Sequence, residues 1–148
     1  MSKQNTFDLI VTTSASNMTF SRENSDKSFK LAIDLLLKKS KQLIVIRDDP
    51  KGIANVDKCL AVEGNAQAGL CDSTREAALH RKDRLADIAS TVSGVDVLDL
   101  TSLYCDADTC HSWINGVNVY SNSSHISKDF SATLQPHIEA EISDRLKR

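Results

Sequence analysis

Three short stretches of the chain are continuously apolar and rich in β-branched residues: residues 6–13 (TFDLIVTT), 43–50 (LIVIRDDP) and 95–100 (VDVLDL). Runs of this kind predict strands of a sheet covered on both faces. Between them the hydrophobic spacing becomes helical. In residues 25–42, Phe29, Ala32, Ile33 and Leu36 share one face, with Leu31 and Leu35 beside them. Asp26 opens that stretch and Lys38, Lys39 and Lys41 close it, matching the helix macrodipole, so the lysine cluster needs no ligand. Residues 14–24 read as a polar loop. After Pro50, the stretch to residue 70 holds Gly52, Gly64 and Gly69, shows little periodicity and reads as a long loop. The pattern Ser73-x-x-Glu76 is a capping box. It predicts a helix carrying Leu85, Ile88, Ala89 and Val92 and ending near Gly94. Residues 117–120 (VNVY) read as a short edge strand. Ser127 is a good N-cap for a last helix striped by Phe130, Leu134, Ile138, Ile142 and Leu146, with a kink expected at Pro136.

Strand, helix, strand, helix, strand, helix implies parallel pairing through crossover helices. The predicted fold is an α/β, three-layer α/β/α sandwich with a small, mainly parallel sheet. Sheets of this type bind ligands at the carboxyl ends of their strands. Here those ends are residues 13–16, 47–50 and 99–103. A chain of 148 residues is long enough for one domain with its own core. Composition excludes some partners. With 26% charged residues and a net charge of −2 there is no electrostatic case for nucleic acid or an anionic membrane surface. No apolar run approaches the length of a spanning helix. Residues 1–10 (MSKQNTFDLI) lack the apolar core of a signal peptide, so nothing visible exports the chain.

The cysteines argue the other way. The four fall as two local pairs, Cys59 with Cys71 and Cys105 with Cys110, in polar loops. An even count in such pairs suggests disulfides and an oxidising compartment. Four reduced thiols or a zinc site are the alternatives, although zinc favours tighter Cys-x-x-Cys pairs. No other metal and no cofactor is expected. An export-type cysteine pattern without an export signal is reconciled most simply if the chain is the end of something longer.

Residues 99–127 gather the candidate chemistry. They run from a strand end past Cys105 and Cys110 and through VNVY to Asn122 and His125, at the start of the last helix. A polar residue three positions before a histidine can orient its imidazole, as the acid does in a nucleophile–base–orienter triad. His125 is therefore the candidate general base and Asn122 the occupant of the triad-acid position. The bland readings are a helix-start histidine and a turn asparagine in SNSS. His111 reads as a solvent-facing loop residue, and His80 and His137 as surface positions on helices. Trp113 either lines a groove or packs over the second cysteine pair. Asp48 and Asp49 fit a DDP turn at a strand end. Ser14 and Ser16 follow the first strand, as a nucleophile would.

Three stretches resemble the C-terminal part of an SGNH-type domain, the serine esterase/acyltransferase α/β fold, as fused to acyltransferase 3 membrane proteins. They are LIVIRDDP with DKCL and CDSTREAA, then VDVLDLTSLYCDADTC, then VNVYSNSSHISKDFSATLQPHI. The last resembles the family pattern of tyrosine, aspartate, histidine, leucine and serine before a terminal helix. FDLIVTTSAS resembles a preceding family strand more loosely. The likeness spans nearly the whole chain, 1–148, as a partial SGNH-like domain with its N-terminal part missing. It implies O-acetylation of surface polysaccharide, with an acylated glycan or acyl donor as partner through the parent protein. It also implies an upstream membrane acyltransferase domain and a periplasmic or extracytoplasmic location. Two departures bear on activity. The family's Gly-Asp-Ser nucleophile block does not occur in the sequence, and neither Ser14 nor Ser16 follows a Gly-Asp. The family's Asp-x-x-His reads Asn122-Ser-Ser-His125, and asparagine cannot stabilise an imidazolium and can favour the wrong tautomer. The implied function is the C-terminal portion of an O-acyltransferase/esterase domain, inactive alone. A catalytically dead SGNH-like domain that binds a glycan or protein partner is the alternative.

Overall fold

The apolar runs become parallel strands, and the polar stretches between them fold more elaborately than their spacing suggests. The computed structural model describes residues 7–15 and 22–147, without the side chains of residues 22–25. Contacts divide the chain into two units. The first comprises Met1–Asp48, Arg81–Asp99 and Glu141–Arg148, and the second Asp49–His80 and Leu100–Ala140.

In the first unit, β1 (Phe7–Thr12), β2 (Ser40–Ile46) and β4 (Val95–Leu98) form a parallel sheet in the order β1-β2-β4. Leu43 is the pivot, opposite Ile10 on one side and Val95 on the other. Helices α1 (Arg22–Leu37) and α4 (Arg84–Ala89) cover this face. Ile33, Leu43, Val45, Leu85, Ala86 and Ala89 make its buried core, with Ile10, Phe29, Val95 and Val97 packed against it. Side chains alternate along a strand, so Gln42 and Asp96 point to the other face. There Gln42 donates to the Arg145 carbonyl (2.9 Å), and Arg145 pairs with Asp96 (3.0 Å), in the last turn of α5 (Lys128–Leu146). The result is the helix–sheet–helix layering of an α/β fold.

Several boundaries differ from the sequence reading. The first helix ends at Leu37 rather than residue 42, and β2 begins at Ser40 rather than residue 43. Pairing of Ser40 with Phe7 outweighs the helix propensity of the lysine-rich stretch, and the Ser40 hydroxyl donates to the Leu36 carbonyl at the helix end (3.1 Å). Lys41 therefore lies on a strand and pairs with Asp8 of β1 (2.6 Å), not with a helix terminus. β2 stops at Ile46 because the Asp48 amide donates to the Asp83 carboxylate (2.7 Å).

The single helix expected over residues 73–94 is broken. Ser73–Thr74 is a strand, β3, and Thr74, not Ser73, caps the short α3 (Arg75–Ala78) by accepting from the Ala77 amide (3.2 Å). Asp83 then caps α4, accepting from the Ala86 amide (3.0 Å). The polar stretch between them carries the chain from one unit to the other.

The second unit is built of short pieces. The loop expected over residues 51–70 contains α2 (Val56–Leu60). β5 (Thr109–Cys110) pairs antiparallel with β3, β6 (Trp113–Ile114) with β7 (Val117–Asn118), and β8 (Tyr120–Asn122) with β9 (His125–Ile126). VNVY is thus not one edge strand but parts of two hairpins. Cys59 bonds Cys71 and Cys105 bonds Cys110, with S–S distances of 1.99 and 1.98 Å. Tyr104, Val119, Tyr120, Phe130 and Leu134 are buried. The Tyr104 ring meets Phe130 edge-on at 5.1 Å. The two tyrosine hydroxyls hold the turn after β2: Tyr104 donates to Asp49 (2.5 Å) and Tyr120 to the Pro50 carbonyl (2.9 Å). Ser127 caps α5 by accepting from the Phe130 amide (3.0 Å), and the helix runs on through Pro136.

Candidate functional site

Asn122 and His125 close the β8–β9 hairpin as directly opposed residues, with Ser123 and Ser124 at its tip. The Asn122 side-chain oxygen gathers the whole turn. It accepts from the backbone amides of Ser124 (2.9 Å) and His125 (3.0 Å) and from the Ser124 hydroxyl (3.2 Å). His125 Nδ1 lies 3.0 Å from the same oxygen. Two of these partners are backbone N–H groups, which can only donate. An amide flipped the other way would set its NH2 against both. The oxygen therefore faces the imidazole, an arrangement that suits an Nδ1–H donor and an Nε2 acceptor. An asparagine here need not impose the wrong tautomer, because the turn fixes which end of its amide meets the ring. It brings no negative charge. The imidazole is exposed on a strand rather than in a loop at a helix mouth.

A second histidine is held more tightly than its sequence context suggests. His111 sits between two carboxylates, Nδ1 2.8 Å from Asp72 and Nε2 3.1 Å from Asp106. It is not simply a solvent-facing loop residue. The hydrogen bond to Asp72, with further support from Asp106, raises its pKa above the ordinary value against the opposing effect of burial. Asp106 is held below the usual carboxylate range by the amides of Asp108 and then Thr109, with His111 adding to the effect. The other Asp72 oxygen accepts the Ser112 amide (2.7 Å), and the buried Ser112 hydroxyl donates to the Cys71 carbonyl (2.5 Å). Asp72, Asp106 and His111 each follow a cysteine of the two disulfides directly in sequence. The Cys105–Cys110 pairing was the signal available for the Asp106 contact, whereas Asp72 reaches the histidine through the β3–β5 pairing, which the sequence does not announce.

The other candidates fall into ordinary places. His80 lies beyond the end of α3, its Nδ1 2.7 Å from the Ala77 carbonyl, and His137 is exposed on α5. Trp113 is half-buried on β6 opposite Asn118. Asp49 is engaged by Tyr104, as a turn residue would be. Ser14 follows β1, and Ser16 lies outside the described residues. With all four sulfurs in disulfides, none is a thiolate open to zinc, and among the described residues no three His, Cys, Asp or Glu side chains are grouped to hold a metal ion. Also among the described residues, no helix is long and apolar enough to cross a membrane. β8 borders a polar cavity of about 450 Å3 that also takes in Asp57 and Asp129, two residues the sequence gave no reason to single out.

The family model of the SGNH domain (fused to AT3 domains) matches residues 3–140. The chain belongs to that family. The α/β layering and the small parallel sheet of this SGNH domain agree with the match. No curated protein and no solved structure matches the chain significantly.

Proposed function

We propose that this SGNH domain carries the base of an O-acyl-transfer site acting on surface glycan, with His125 as the base and Asn122 as its orienting residue. The observation that supports this most is the hydrogen bond from Nδ1–H to the fixed Asn122 oxygen, which leaves Nε2 available as an acceptor. In the reaction a serine hydroxyl attacks the acetyl carbonyl of a donor while His125 Nε2 takes its proton, and the proton then goes to the leaving group. A glycan hydroxyl next attacks the acyl-serine, His125 taking and returning a proton in the same way. The sequence contains no Gly-Asp-Ser block, so the serine of this scheme is supplied from outside the 148 residues. The acyltransferase partner is an AT3 domain, and the site works on the extracytoplasmic side of a membrane. The two disulfides favour an oxidising compartment of that kind.

The chain alone is accordingly inactive. On p-nitrophenyl acetate it should show no turnover above the buffer rate, and His125→Ala should change nothing. Turnover that Ser14→Ala abolishes would overturn the assignment. Sequencing the DNA on the 5′ side of the Met1 codon supplies the second test. An in-frame Gly-Asp-Ser block preceded by membrane spans supports a live His125, and its absence refutes it. The neutral Asn122 favours one other reading, a catalytically dead domain kept for binding a glycan or a protein, since an amide holds the ring without stabilising its charged form.

A further inference from the structure

The cavity beside the His125 hairpin has a lining with one chemical bias. It is bordered by Asp57 and Leu60 of α2, Val117 and Asn118 of β7, Ser121 of β8 and Asp129 of α5. Asp57 and Asp129 each lie in the first turn of a helix. Ionised carboxylates only accept hydrogen bonds. The Ser121 hydroxyl already donates to the His125 carbonyl (3.2 Å), which leaves it only acceptor capacity. Ser127, also in the lining, donates to the Asn118 carbonyl (2.5 Å). The cavity therefore offers a surplus of acceptors. Among the described residues no lysine, arginine or histidine lines it: Lys58 and Lys128, the sequence neighbours of the two aspartates, are not part of the wall. Leu60 and Val117 supply small apolar surfaces of the kind that meet the C–H face of a pyranose. At about 450 Å3 the volume is within the range of small-ligand sites.

We propose that this cavity is a subsite for a sugar unit that bears no negative charge. Sugar hydroxyls, or an amine on the ring, bring donors to the two carboxylates. A uronate, sulfate or phosphate brings further acceptors and a charge that Asp57 and Asp129 repel. Ser121 is the residue before Asn122, so a sugar held here lies along the strand that carries the proposed orienting residue. The assignment rests on the reading of the domain as one that handles glycans. It narrows that reading to neutral or amino-sugar acceptors.

The test is an amide NMR titration of the 15N-labelled chain with three probes on one scaffold: methyl glucoside, methyl glucosaminide and methyl glucuronide. The expected result is millimolar binding of the first two, with shifts centred on Val117 and Ser121, and binding of the glucuronide weaker by about tenfold or more. Asp57→Asn with Asp129→Asn should abolish that preference while leaving the distant amide shifts of the free protein in place. Leu60→Trp, which fills the cavity from its apolar side, should abolish binding of all three. Equal or tighter binding of the glucuronide, shifts centred elsewhere, or no binding of any probe would overturn the proposal. The acyl-transfer reading is tested by the Ser14→Ala ester assay and by the upstream DNA, neither of which involves a sugar, so its failure and the failure of this subsite register in separate experiments.

Discussion

Two histidines in this chain show how little separates a structural imidazole from one available for chemistry. His111 has an oxygen on each nitrogen, both from carboxylates, and its protonated form is favoured. His125 has one nitrogen tied to a neutral amide and, in the proposed reading, the other left for a substrate. The His111 bridge has a definite pH signature. Its folded-state pKa is raised, so its contribution to stability is fully present below the unfolded value of about 6.5 and is lost as pH rises through the higher folded value. The depressed Asp106 acts in the opposite sense, contributing above the unfolded carboxylate value and losing that contribution as pH falls through its lower folded value. His111→Gln should therefore lower Tm most below about pH 6.5, and by less and less as pH rises above it. A gap in Tm that widens with rising pH would mean that the bridge is not held by charge. At this scale the contact between Asn122 and His125 was legible, because their spacing is local. The Asp72 partner of His111 was not, because it lies 39 positions away and is set beside the histidine by the β3–β5 pairing, which places Ser73 opposite Cys110.

At the scale of elements, the long apolar runs were legible and the two- and three-residue strands were not. β1, β2 and β4 stand where continuous β-branched stretches predicted strands, since burial on both faces demands such residues. Their ends were misplaced wherever a tertiary partner outweighs local preference, as Phe7 does at Ser40 and Asp83 does at Asp48. Pairs such as Trp113–Ile114 and Val117–Asn118 are too short to show a period. Their signal is the turn instead: Asn115 and Gly116 both have positive φ, 50° and 85°, the conformation of a two-residue hairpin turn. Two glycines separate the reasons an element can require that residue. A Cβ at Gly116 would meet nothing within 4 Å, so Gly116→Ala should cost only the backbone strain, about 1–2 kcal/mol. Gly52 has no such strain, but a Cβ there would lie 3.1 Å from the Tyr120 ring and 3.3 Å from Val56. Gly52→Ala should cost about 1–3 kcal/mol through displaced packing. Urea unfolding measures both costs. Near-ultraviolet dichroism should change only for Gly52→Ala, because only there does an aromatic ring have to move.

For the whole molecule, the two disulfides are confined to one unit. Both lie within residues 49–80 and 100–140. In the chain-entropy account the Cys59–Cys71 loop contributes about 3 kcal/mol and the shorter Cys105–Cys110 loop about 2 kcal/mol. Reduction should accordingly be felt unevenly. Amide hydrogen exchange after dithiothreitol treatment should speed up first in α2, the β3–β5 pair and the β8–β9 hairpin, while β2 and α4 keep their protection longer. Uniform loss across the chain would show that the units unfold as one.

The order in which the two units draw on the chain has a consequence for synthesis. The sheet unit takes its segments from the beginning, the middle and the very end of the chain, and the disulfide unit takes the two stretches in between. Neither can close as it leaves the ribosome or a translocation channel. Arg145, which ties the last helix to Gln42 and Asp96, is made 103 residues after Gln42. Until it emerges, the apolar strands wait without their second cover, as do other folds whose contacts are distant in sequence. The Cys59–Cys71 link spans only 12 positions and can form long before that. A nascent chain would then be cross-linked in its middle while both of its cores are still open.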